Sequence, residues 1–284
     1  SISDEHVFFV ALHFTTREKI RVKTLSLGLV VPDKYYELLK TNQTMYLFNP
    51  YHVEREYGIP FSYVDITKEY DNLVANPAIE KTSVNARELE QEISRLQQES
   101  GYPYILNIDT ANRTNPVDGT IIMSNLCSEI LQPQEASELN ADLSYKEVGT
   151  DISCNLGSMN MVNLMKAPDF GQSIEYAVRA LTTVTDSESI SEVPTVDKGN
   201  KLYHTIGLGA MGLHTVLALN GIDYDSKEAL EFVDAFFLAM NYYSLKASNQ
   251  IAKEKGEVFH NWEKSTYADG TYFNQYLEDN FTFA

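Results

Sequence analysis

The run of apolar and polar positions divides the chain into an extended-rich beginning and a helix-rich end. Residues 1 to 31 are dense in β-branched and aromatic side chains, which fit a pleated surface. Val7 to Leu12 and Leu25 to Val31 are therefore candidate strands. Pro32-Asp33 then opens a short helix through Leu39. The longest polar helical pattern runs from Asn76-Pro77 to Ser100. Its Ala86, Leu89, Ile93 and Leu96 share one stripe, and Gly101 supplies the stop. Two strands are expected next, Pro103 to Ile108 and Thr120 to Ile130, with a polar loop from Asp109 to Gly119 between them.

A second loop spans Pro133 to Gly149, and residues 151 to 164 form a buried irregular or extended stretch. Helical patterns follow at about 169 to 185, 205 to 220 and 226 to 255. The last spaces Leu230, Val233, Phe237, Met240 and Leu245 as a core-facing stripe and ends at Gly256. Strands that lead into helices give an α/β class, with helices gathering toward the C-terminal half.

Composition narrows the function. The chain has 284 residues, 43% of them hydrophobic, enough for a sizeable core. Its 40 acidic against 22 basic residues give a formal net charge of −18, which repels polyanions and excludes a nucleic-acid-binding surface. A phosphorylated small molecule remains compatible through local donors. The absence of a long apolar run or a leader pattern points to a cytoplasmic protein with no membrane partner. Ser1 in place of Met, and a Phe283-Ala284 end without a polar tail, read as a fragment.

Only Cys127 and Cys154 are available as thiols, and a reducing compartment makes a static bridge between them an unpromising reading. The stretch from Ser124 to Ile130 is the most informative one. If it is extended, alternation places Asn125, Cys127 and Glu129 on one face. An amide, a thiol and a carboxylate then converge, which suits exchange of a hydrogen atom with carbon, removal of a hydroxyl proton and orientation of a sugar. The structural alternative is a strand end in which Asn125 bonds the backbone, Glu129 faces water and Cys127 is packed.

Ser-Asn-Leu-Cys-Ser-Glu-Ile-Leu-Gln at 124 to 132, followed by Asp-Ile-Ser-Cys-Asn-Leu-Gly-Ser at 151 to 158, resembles the large, catalytic subunit of class Ib ribonucleotide reductases. Similar stretches lie at 19 to 28, 46 to 51, 99 to 105 and 204 to 209, so the likeness runs from about residue 18 to the end. The resemblance implies part of a ten-stranded α/β barrel over 18–284, with 1–17 a poorly matching N-terminal segment. It implies that Cys127 is the thiyl-radical cysteine, that Glu129 takes the 3′-hydroxyl proton and that Asn125 positions the ribose hydroxyls. Cys154 matches one member of the redox pair, whose partner is absent from this chain.

The same resemblance implies a ribonucleoside diphosphate substrate, a radical from a metal-containing small subunit, and a thioredoxin-like or glutaredoxin-like reductant. No cofactor or metal is held by this chain directly, and nucleotide effectors belong to the full-length subunit. The relay tyrosines of the family have no counterpart here, and Tyr242-Tyr243 reads as packing within a helix. Two other classes compete. One is an inactive or split-gene fragment that works only with complementary pieces. The other is a nicotinamide-dependent dehydrogenase using Gly207 to Gly212, which fits G-x-G-x-x-G but has a poor strand before it and Asp223 too soon after it.

Overall fold

The computed structural model describes residues 26–278, so the candidate strand at Val7 to Leu12 and the segment 1–17 lie outside the described residues. The chain divides into two units, 1–133 and 134–284. In the first, the elements run β1 (Gly28–Val31), α1 (Asp33–Lys40), β2 (Thr44–Phe48), α2 (Pro50–Tyr57), α3 (Ile66–Ala75), β3 (Lys81–Asn85), α4 (Ala86–Ser100), β4 (Tyr104–Asn107) and α5 (Ile108–Thr114). β1 pairs in parallel with β4, Gly28 opposite Tyr104, and β2 pairs antiparallel with β3, Thr44 opposite Asn85.

The helix expected from Asn76 begins ten residues later. Lys81–Asn85 is taken by the strand ladder with β2, and Asn85 then caps α4 by accepting from the backbone N–H of Arg87 at 2.9 Å and Glu88 at 3.0 Å. The expected stop holds, with Gly101 left-handed at φ 77°. Ala86, Ile93 and Leu96 are buried as the stripe requires, Ile93 packing with Val31 and Tyr35 and Ala86 with Leu38 and Tyr70. A further cluster of Val53, Val64, Leu73 and Ile79 joins α2 to α3.

The polar run at 109 to 119 is not all loop, because α5 forms across Ile108–Thr114. Its side chains make tertiary bonds that composition hides. Asp109 Oδ2 accepts from the Asp33 N–H at 2.7 Å, satisfying an N-terminal donor of α1, and from Thr67 Oγ1 at 2.5 Å.

The second unit runs β5 (Glu138–Leu139), β6 (Tyr145–Glu147), β7 (Asn155–Asn160), α6 (Met161–Leu164), α7 (Phe170–Ser187), α8 (Pro194–Tyr203), β8 (Ile206–Met211), α9 (Leu213–Leu219), α10 (Lys227–Lys255) and α11 (Gln275–Glu278). β5 and β6 form a hairpin inside the expected second loop, and β7 pairs in parallel with β8 from Asn155–Ile206 to Asn160–Met211. The core is built on Met161, Leu164, Ile174, Val178, Phe236, Met240 and Ile251.

Two expectations fail here for the same reason. Residues 205 to 220 do not form one helix, since Ile206–Met211 is β8 and only Leu213–Leu219 is helical. Of the stripe expected to bury α10 only Met240 is a core residue: Leu230 and Phe237 are exposed and Val233 and Leu245 half-buried, while Ala229, Phe236, Ala247 and Ile251 complete the buried face. α10 is apolar on more than one side, and a neighbouring element decides which side is covered. Val233, Phe237, Leu238 and Leu245 instead line a cleft of about 1290 Å³ with Tyr267 and Tyr272.

The described residues are therefore α/β with helices dominating the second unit, and each of their sheets has two strands, with no closed barrel among them. No helix among them is long and apolar enough to cross a membrane.

Candidate active site

The segment that carries Cys127 is a loop rather than the expected strand. Ile121 and Ile130, both buried, root its two ends. Asn112 of α5 fixes the first end by donating to the Ile121 carbonyl at 2.9 Å and accepting from its N–H at 3.0 Å. Ser124 Oγ closes the base by donating to the Ile130 carbonyl at 2.6 Å. Between them the backbone turns, with the Ser128 N–H bonded to the Asn125 carbonyl at 3.1 Å and Ser128 at φ 63°.

The residue that shapes this turn is Asn125. Its Oδ1 accepts from the N–H of Glu129 and of Ile130, each at 3.1 Å, and from Ser124 Oγ at 3.2 Å. Such local side-chain bonding offers the backbone an alternative to a ladder, which is why the alternating pattern does not become a strand. The premise of three side chains alternating on one strand face is corrected by this turn. Cys127 and Glu129 are exposed, and Asn125 is half-buried. Two features of the structural alternative thus hold, since Asn125 does bond the backbone and Glu129 does face outward. The third does not, because Cys127 is not packed away.

Sequence reading assigned nothing to Tyr104, the first residue of β4. Its phenol is pushed above the ordinary tyrosine range, mainly by a hydrogen bond with Tyr102, then by the charge of Tyr102, by desolvation, and least by negative charge on Cys127. The rings of Tyr102 and Tyr104 lie 5.0 Å apart, and Tyr102 OH is 3.0 Å from Ser26 Oγ. A tyrosine pair therefore stands within electrostatic reach of the Cys127 thiol. The only signal in the sequence is the single Tyr-Pro-Tyr at 102 to 104, inside the family-like stretch 99 to 105, and it carries no role for either tyrosine by itself.

Cys154 belongs to the second unit and immediately precedes β7. It is exposed, while its neighbours Ser153 and Asn155 are buried. The glycine motif at 207–212 is not a phosphate-binding turn. Gly207 and Gly209 lie within β8 itself, and Gly212 heads a helix of only seven residues. A Cβ on Gly207 would meet Leu156 Cδ2 at 2.4 Å, so the small residue serves the close pairing of β7 with β8. Tyr243 packs as expected, its ring filling the space beside Gly171, whereas Tyr242 is exposed.

The family model described as "Ribonucleotide reductase, barrel domain" matches residues 5–282. The chain belongs to the ribonucleotide reductase barrel-domain family. It is 48% identical over 262 residues to the ribonucleoside-diphosphate reductase subunit alpha of Mycoplasma pneumoniae, covering 92% of this chain and 36% of that protein. The protein of the same name from Bacillus subtilis is 42% identical over 267 residues, with 93% of this chain and 38% of the relative covered. Among solved structures, the Actinobacillus ureae class Id ribonucleotide reductase alpha subunit aligns with a TM-score of 0.59 at 21% identity, over 92% of this chain and 40% of that one. That likeness shows the fold. The chain spans just over a third of the length of the curated relatives it matches.

Proposed function

We propose that this chain is the part of a ribonucleoside-diphosphate reductase alpha subunit that carries the radical cysteine, Cys127, and one redox cysteine, Cys154. The observation that carries the reading is an exposed Cys127 thiol on a loop pinned at both ends, in a chain nearly half identical to relatives of that name. The reaction converts a ribonucleoside diphosphate to its 2′-deoxy form. A thiyl radical on Cys127 takes the hydrogen atom from C3′, and Glu129 accepts the 3′-hydroxyl proton. The C2′–O bond breaks and the oxygen leaves as water. Two electrons and two protons come from Cys154 and a second cysteine, which end as a disulfide, and Cys127 returns its hydrogen atom to C3′.

In this reading Asn125 has two duties. Its carbonyl oxygen is committed to the backbone of the loop, so hydrogen bonding to the ribose falls to its NH₂ group. The radical comes from a metal-containing small subunit, and a thioredoxin-like or glutaredoxin-like protein reduces the disulfide. The subunit is cytoplasmic, and effector control lies in its other segments. Those segments are also required for turnover, given the share of the relatives that this chain spans and the two-stranded parallel pairs, which are ordinarily found inside larger covered sheets.

The test is reduction of a ribonucleoside diphosphate by the chain assembled with the remaining segments and the small subunit. Cys127→Ser is expected to reduce turnover to background, a loss beyond about a thousandfold, and appreciable turnover rejects the role. Cys154→Ser is expected to abolish multiple turnover with the protein reductant while a single radical event on the substrate survives. Loss of that event as well contradicts a purely reductive role.

A further inference from the structure

Cys154 sits between two side chains that turn inward while its own stays at the surface. Ser153 is 3% exposed and Asn155 5%, and both meet the same group, the carboxamide of Asn200 in the last turn of α8. Asn200 Oδ1 accepts from Ser153 Oγ at 2.9 Å and from Asn155 Nδ2 at 3.1 Å. Its Nδ2 donates to the Thr185 carbonyl at 2.9 Å, near the end of α7. Asn155 Nδ2 also donates to Thr185 Oγ1 at 2.9 Å. Turning the Asn155 amide over would let its Nδ2 donate to Glu188 at 3.3 Å and its Oδ1 accept from Thr185 Oγ1 at 2.9 Å, at the expense of the direct bond to Asn200, whereas the bonds of Asn200 to Ser153 and to the Thr185 carbonyl stand in either orientation.

The chain leading to Cys154 is laid on the same helix. The Asp151 N–H donates to the Thr195 carbonyl at 3.0 Å, and Gly199 lets the backbone come close, since a Cβ there would stand 2.1 Å from the Asp151 carbonyl oxygen. One helix thus fixes the residue three before the cysteine and the residues on either side of it.

We infer that Asn200 is a positioning residue for Cys154, holding both of its neighbours in a buried hydrogen-bond cluster so that the thiol projects at a fixed place from the start of β7. The value of such a fixture to the chemistry rests on the redox role given to Cys154 above. A cysteine that donates electrons beside a substrate must reach a defined point, and displacement by about 1 Å lowers the rate on the order of a hundredfold. Ser153 and Asn155 are buried polar groups that share the Asn200 acceptor, so its loss removes the bond holding Ser153 and leaves Asn155 tied to Thr185 alone.

The experiment uses this chain with Cys127→Ser and a nitroxide label on Cys154. Asn200→Ala is expected to shorten the rotational correlation time of the label about twofold or more, and Ser153→Ala to shorten it less. Ile251→Val, which loosens the core elsewhere in the unit, is expected to leave it unchanged. Unchanged spectra in folded Asn200→Ala and Ser153→Ala overturn the inference, as does an equal change in Ile251→Val. If Asn200→Ala does not fold, Ser153→Ala decides alone. In the assembled reductase, Ser153→Ala is expected to lower kcat several-fold with KM for the ribonucleoside diphosphate unchanged, and an unchanged kcat overturns the catalytic consequence. A Cys154→Ser enzyme that still turns over would defeat the redox reading while the label result stood.

Discussion

The two cysteine segments are held in opposite ways. Asn112 of α5 pins the start of the loop around Cys127, but its tip is organised from within, by Asn125 two residues earlier bonding the backbone at Glu129 and Ile130. The approach to Cys154 is organised from outside, by Asn200 some 45 residues later in the chain. The first arrangement makes a thiol whose place depends on a local turn. The second makes a thiol whose place depends on the packing of α7, α8 and β7.

That contrast can be broken by substitution, taking the largest effect first. Asn125→Ala removes the acceptor for two backbone N–H groups, and reductase activity of the assembled subunit is expected to fall about a hundredfold. Thermal unfolding is expected to shift little, since the loop tip is exposed. Asn125→Asp keeps the acceptor oxygens and is expected to preserve the turn, as read from hydrogen-exchange protection of the Glu129 and Ile130 amides. Equal loss of protection in both variants would remove Asn125 from its organising role.

Gly199→Ala probes the other arrangement through unfolding by urea. Alanine in place of a helical glycine usually stabilises by about 1 kcal/mol. Here the added methyl would stand 2.1 Å from the Asp151 carbonyl oxygen, so the overlap wins and a net destabilisation of about 1–3 kcal/mol is expected. A stabilised Gly199→Ala protein would mean that the approach to Cys154 is not pressed onto α8. Thr185→Val, which leaves the cluster one hydroxyl short, is expected to cost about 1 kcal/mol in the same measurement.

The smallest effect concerns the surface joining α7 to α10. Arg179 meets Glu254 at 2.7 Å and Glu175 at 2.8 Å, and its hydrogen bond is the main reason that the Glu254 carboxyl is held down to about 2. A carboxyl lowered on folding contributes stability above its ordinary range near 4.5 and loses that contribution as pH falls toward 2. The melting temperature of the chain is expected to decline across that window, and Arg179→Met to flatten the decline. Because the pair is exposed, the difference should also shrink in high salt. An identical acid profile in the variant would exclude the pair as a contributor.

What the residues determined alone was local and redundant. Gly101 and Gly256 end their helices where the sequence places those ends, and each helix carries enough turns to be recognised. The Cys127 and Cys154 motifs, because of their order and specificity, pointed to the reductase family without any coordinates. Tertiary structure decided whatever depended on a partner. A ladder with β2 claimed Lys81–Asn85 from the following helix, and close pairing with β7 made the glycine motif a strand. Neighbouring elements, not periodicity, selected which apolar side of α10 is buried. The physical reason is common to all three: helix ends and caps are satisfied within a few residues, whereas strand pairing and burial draw their free energy from segments that sequence order does not place together.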